Sequence, residues 1–207
     1  MDDVALPLPE PPARDWSQLP HDALASIFVR LGAVEVLVGA GLVCHSWLEA
    51  AKLPDVWRVV RMASDKVLYK YGMDHMRAMA KVAVDRSDGQ LRVFAGTFVT
   101  HVLLQYILER SPSLTTLRLL SCPRSERLLN VIRESPLLEL RSLTVEYSDL
   151  TVRELSDVLE SCPVLEFVRV RRNRSKMYNE FGRIETMTVE YDDPFLWLYL
   201  ADNESYD

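Results

Sequence analysis

From Asp88 onward the chain repeats itself, and this periodicity restricts its fold more than any other feature. Leu91-Arg-Val93, Leu117-Arg-Leu119, Leu143-Thr-Val145 and Val168-Arg-Val170 are four apolar-x-apolar triplets spaced 26, 26 and 25 residues apart. Alternation of this kind predicts short strands with one buried face. A helix is predicted before each of the last three. Its end carries the same mark each time, Ser111-Pro112, Ser135-Pro136 and Cys162-Pro163, because proline cannot continue a helix. The helical faces are Leu104, Ile107 and Leu108; Leu128, Leu129 and Ile132; and Leu155, Val158 and Leu159. Thr151 and Glu154 form a capping box in front of the last.

One strand and one helix cannot bury their shared apolar face alone, so such units must stack on their neighbours. The expected fold class is therefore α/β: a short right-handed β–α solenoid with a parallel sheet inside and helices outside. Ile184 to Tyr191 reads as one more strand, with Met187 and Val189 as its buried pair. The apolar run Pro194 to Leu200 is expected to cap the open end. Seven acids and no bases follow Arg183.

Ahead of the repeats, Asp15 to Trp57 has a different period. After Leu19-Pro20, the apolar positions Leu24, Ile27, Phe28 and Leu31 fall at i, i+3, i+4 and i+7 of one helix, and Gly32 stops it. Val34, Leu37 and Val38 begin a second helix, and Val43, Trp47, Ala50 and Ala51 mark a third. Forty-odd residues make a small core, yet the stretch carries many large apolar side chains. Burying each is worth about 1.5–3 kcal/mol. Either a partner completes this core or the rest of the chain covers it.

These residues carry a resemblance. Leu19-Pro20, Asp22, Leu24, Ile27, Phe28 and Leu31, then Val43-Cys44, Trp47, Leu53-Pro54 and Trp57, resemble an F-box over its full motif. The period of the following units is that of leucine-rich repeats. Residues 16–58 with 75–170 together resemble plant F-box proteins with leucine-rich repeats. The resemblance implies a non-catalytic substrate receptor of an SCF-type ubiquitin ligase, docking on a Skp-type adaptor of a cullin ligase. Leu19, Pro20, Leu24, Ile27, Leu31, Val43 and Trp47 hold the matching adaptor-binding positions, although about half would equally serve as the module's own core. Family members commonly carry a longer array, and here the period is lost after Val170. A repeat scaffold or decoy that occupies the adaptor without delivering a target is therefore the alternative.

The expected organisation is a proline-rich leader (1–15), the F-box (16–60), a helical joint (61–87), the repeats with their cap (88–200) and an acidic tail (201–207). Within the joint, Asp74 is expected to cap a helix from His75 to Val84 with Met76, Met79, Ala80 and Ala83 on its buried face. The net charge of −6 argues against a nucleic-acid partner. The longest apolar run, Val36 to Cys44, is nine residues, too short for a bilayer. The acidic, proline-rich start lacks the pattern of a secretory leader. Three scattered cysteines without a C-x-x-C fit a reducing compartment. A cytoplasmic or nuclear protein is expected, with no cofactor, no metal and no membrane partner.

No catalytic constellation is visible. His21, His45, His75 and His101 are far apart and form no metal-binding helix pair. Cys44 reads as a small buried hydrophobe on the third helix, and the acidic pair Asp192-Asp193 reads as a solvated turn. A target would be read instead on the open face of the sheet, where the residue between the two apolar positions of each strand points. Those residues are Arg92, Arg118, Thr144 and Arg169, extended by Arg171 and by Arg172, Arg174 and Lys176. They are either a basic ladder for an acidic or phosphorylated segment or ordinary solvated side chains.

Overall fold

The computed structural model describes residues 15–63, 65–121, 125–135, 137–148, 152–172 and 186–191. Expectations for the leader, the Asn173–Lys176 loop, the cap, the tail and the Thr151 capping box fall outside these residues. A 3-10 turn at Trp16–Gln18 leads into α1 (His21–Leu31), α2 (Ala33–Val38) and α3 (His45–Ala50), and a further 3-10 turn covers Pro54–Trp57. Asp15 starts the unit by accepting a hydrogen bond from the Ser17 N–H at 3.0 Å. Pro20 enters α1 with its ring-fixed φ of −56°. Gly32 ends α1 at φ +96°, a conformation that a side chain would oppose.

Leu24, Phe28, Val34, Val36, Ala50, Ala51, Val56 and Trp57 are buried together. Trp57 Nε1 donates to the Ala51 carbonyl at 2.9 Å, which satisfies its one polar atom inside the core. Two expectations for this region change. Val43 lies before α3 and is exposed, and Cys44 is the extended, half-buried residue preceding α3.

The rest is a parallel sheet of six strands in chain order: β1 (Val59–Met62), β2 (Val93–Thr97), β3 (Thr116–Leu120), β4 (Ser142–Ser148), β5 (Phe167–Arg172) and β6 (Thr186–Tyr191). Every neighbouring pair is parallel. Between the first five strands run α4 (Asp65–Arg86), α5 (His101–Arg110), α6 (Ser125–Glu134) and α7 (Val152–Ser161). Gly72 (φ +76°) is non-helical and divides α4, so the helix expected from His75 is the stretch after Gly72. Met76, Ala80 and Ala83 do face the core from it.

The register gives two inward rows. One is Val60, Phe94, Leu117, Leu143 and Val168; the other is Met62, Gly96, Leu119, Val145 and Val170. The first predicted triplet is thus displaced. Leu91 is buried but lies in the turn before β2, three residues ahead of Phe94, just as Leu114, Leu140 and Leu165 precede Leu117, Leu143 and Val168. The second inward position of β2 is Gly96, and an added Cβ there would meet the Phe94 ring and Val99, each at 2.9 Å. Phe94 and Gly96 together fill the space that two aliphatic side chains fill in the next strand, so β2 lacks the apolar-x-apolar signature.

A second correction follows from β1, which directly continues the N-terminal helical unit and pairs with β2. The same junction recurs along the sheet. The Arg58 carbonyl accepts from the N–H groups of Arg92 and Val93, Arg92 from Thr115 and Thr116, Thr115 from Arg141 and Ser142, and Arg141 from Glu166 and Phe167. Repetition therefore begins at β1, ahead of Asp88. Among the described residues no single helix is long and apolar enough to cross a membrane.

Candidate functional site

Two surfaces stand out. On the N-terminal unit, the face read from sequence as one stripe of α1 is split by packing. Leu24 and Phe28 point into the core and are wholly buried, whereas Ile27 (39% exposed) and Leu31 (44%) lie on its outer edge. Leu24 is therefore withdrawn as an accessible adaptor contact. Val43 is 62% exposed, and its neighbour Leu42, which the period gave no reason to select, is 70% exposed. Pro20 is exposed, and Leu19 is partly buried against the core. Trp47 bridges inside and outside: its ring meets Phe28 edge-on at 5.6 Å, and its Nε1 donates to the Trp16 carbonyl at 3.0 Å. Val29 and Val38 are exposed as well, and leaving so many large aliphatic side chains in water on one small unit is costly unless something covers them.

The second surface is the open face of the sheet. Arg61, Ala95, Arg118, Thr144, Arg169 and Thr188 are aligned across the strands. Arg92 is absent from this row, because it precedes β2; its position is taken by Ala95. Arg61 enters instead, one strand earlier than the sequence pattern reaches. Thr144 is in the row but buried. Arg118 is exposed, yet its Nη2 lies 3.4 Å from Glu146 Oε1, and Glu146 is largely buried. Arg169 is half-buried; its guanidinium lies 5.8 Å from the Phe167 ring, and its Nε is buried without a hydrogen-bond partner. Arg171 is in register with Glu146 and Glu190 in the next row. The face therefore alternates cations with small residues and one acid. A continuous basic ladder does not form.

His21, His45, His75 and His101 are each exposed. Among the described residues no group of three or more His, Cys, Asp or Glu side chains could hold a metal ion. Tyr106 donates to Asp85 at 2.5 Å, and this bond raises the phenol's pKa because ionisation would break it.

Residues 16–63 match the family model described as F-box-like. Over 174 residues the chain is 33% identical to F-box/LRR-repeat protein 23 of Arabidopsis thaliana, a match covering 82% of this chain and 38% of that protein. It is 32% identical over 166 residues to the F-box protein SKIP19 from the same plant, covering 78% and 53%. To F-box/LRR-repeat protein 9 it is 32% identical over 162 residues, covering 76% and 65%. The chain thus spans between 38% and 65% of the length of these curated relatives.

Proposed function

We propose, from the premise that the chain carries an F-box-like domain and is homologous over most of its length to Arabidopsis F-box/LRR-repeat proteins, that it is the non-catalytic substrate-recognition subunit of an SCF-type ubiquitin ligase. The F-box docks on a Skp-type adaptor, and the β–α units form a leucine-rich-repeat solenoid that holds the target. Ubiquitin transfer is performed by other subunits, in the cytoplasm or nucleus. This chain's contribution is to raise the target's effective concentration at the transferring enzyme.

One observation carries the reading. The matched segment is folded around Leu24, Phe28 and Trp57 while Ile27, Leu31, Leu42 and Val43 remain outside. A module with a complete core and leftover apolar side chains on one unit suits burial against a partner. The target contact is placed on the open sheet face, with Arg61, Arg118 and Arg169 as anchors for an acidic or phosphorylated segment.

Co-purification of the full chain with a Skp-type adaptor, beside Leu19→Ala/Pro20→Ala, tests the proposal. Retention of adaptor by the parent and loss in the variant is expected. A folded parent that retains none would contradict it. Adaptor binding without delivery of any bound protein for ubiquitination would favour the decoy.

A further inference from the structure

A second concavity lies away from both surfaces, where the start of α5 meets the middle of α4 and the first turn of α6. It measures about 470 Å³, and Met73, Arg77, Phe98, His101, Arg127 and Leu128 line it. Its volume falls within the range of roughly 300–1,000 Å³ usual for ligand sites. The chemistry of the lining is asymmetric. Met73, Phe98 and Leu128 supply apolar surface, while Arg77 and Arg127 supply charge and no acid is among the described lining residues. That charge runs against the protein's net −6.

The fold holds this arrangement in place. Phe98 directly follows β2; its φ of +52° is uncommon for a residue with a side chain, and its N–H is tied to the Leu120 carbonyl at 3.0 Å. Leu128 is buried in the core and Met73 is half exposed at the mouth. Arg77 pairs with Asp74 through Nη1 at 2.9 Å, but its Nε is buried with no hydrogen-bond partner. Arg127 is exposed and pairs with no acid among the described residues. A buried donor without a partner beside a cation that pairs with no described acid is the environment a carboxylate completes.

We infer that this groove binds an acidic peptide segment that presents an apolar side chain, the leucine- or phenylalanine-like group entering between Met73 and Phe98 and the flanking carboxylates meeting Arg77 and Arg127. The inference rests on the receptor reading only for the source of the segment, which is the target protein. Its test contains no adaptor, so failure of one leaves the other standing.

The experiment is fluorescence anisotropy of the full chain with a panel of short labelled peptides in which one leucine or phenylalanine is flanked by glutamates. Matched peptides carry glutamine for glutamate, or serine for the apolar residue. At least one acidic apolar peptide is expected to bind, with both substitutions weakening it. Arg127→Glu and Met73→Glu change exposed residues and leave the fold intact. Each should weaken binding by about tenfold, as reversed or misplaced charge does at an interface. Arg118→Ala/Arg169→Ala on the sheet face should leave it unchanged. Equal binding of the glutamine peptides, indifference to Arg127→Glu, loss on the sheet-face substitutions, or no binding across the panel would each overturn the inference.

Discussion

The guanidinium of Arg86 lies over the indole of Trp57, 5.3 Å from the ring centroid, and its Nη1 reaches the Ala51 carbonyl at 3.5 Å. That carbonyl also accepts from Trp57 Nε1. One backbone oxygen thus joins the end of the N-terminal helical unit to the last turn of α4, the helix that connects β1 to β2. Partial burial lowers the Arg86 pKa from its ordinary value, but the group remains charged at neutral pH. The N-terminal helical unit and the sheet are held in one arrangement by this contact and by β1.

Removing that clamp should loosen the junction. Arg86→Ala is predicted to cost about 1 kcal/mol, the worth of a partly desolvated cation–π contact. For a chain of this size this corresponds to a fall of roughly 2–4 °C in Tm. Arg86→Lys should recover part of it. An unchanged melting temperature for Arg86→Ala would mean that β1 alone fixes the junction.

The split face of α1 separates core from exposed residues. Leu24→Ala should cost about 2–5 kcal/mol as a fully buried truncation. Leu31→Ala, on the outer edge, should stay within about 0.5 kcal/mol, as exposed substitutions usually do. Chemical denaturation of both variants checks this. Similar losses at the two positions would contradict the assignment.

Gly96 and Phe94 are predicted to be coupled. Gly96→Leu alone forces a side chain against the Phe94 ring and Val99, and should cost about 1–3 kcal/mol from overpacking. Adding Phe94→Leu creates the Leu-x-Leu pattern already present at Leu117 and Leu119 and should restore most of the loss. Additive destabilisation in the double variant would refute the shared-volume account.

On the sheet face, Glu146 limits what Arg118 offers a partner. Arg118→Ala with Arg169→Ala should weaken capture of an acidic target. Glu146→Gln should strengthen it by a few-fold, because the largely buried acid then no longer holds the exposed Arg118 guanidinium, and make it more sensitive to salt. Weaker capture by Glu146→Gln would show that the acid positions Arg118 instead of competing for it.

The repeat was legible from Leu117, Leu119, Leu143, Val145, Val168 and Val170 because buried parallel strands need apolar residues at alternate positions. The start of the array was not, for two physical reasons. In β2 the inward volume is divided unequally between Phe94 and Gly96, and Leu91 mimics a strand position from the preceding turn. In β1, Val60 and Met62 carry the alternation, but the strand follows Trp57 so closely that it reads as the tail of the helical unit. Arg61 was missed and Arg92 wrongly chosen for the same reason. On α1 the period identifies the stripe of Leu24, Ile27, Phe28 and Leu31, but which edge is covered depends on where α3 and the Pro54–Trp57 turn pack. Leu42 stands outside any helical period, and only its exposure singles it out.

The most direct test is a calorimetric titration of the full chain with a Skp-type adaptor, comparing the parent with Leu31→Asp/Val43→Asp. Both residues are exposed, so the melting temperature of the variant should match that of the parent. The account predicts that the parent binds and that the folded variant loses at least about tenfold in affinity, as central apolar anchors of an interface do. Equal affinity of the two proteins, or no binding by the folded parent, would contradict it.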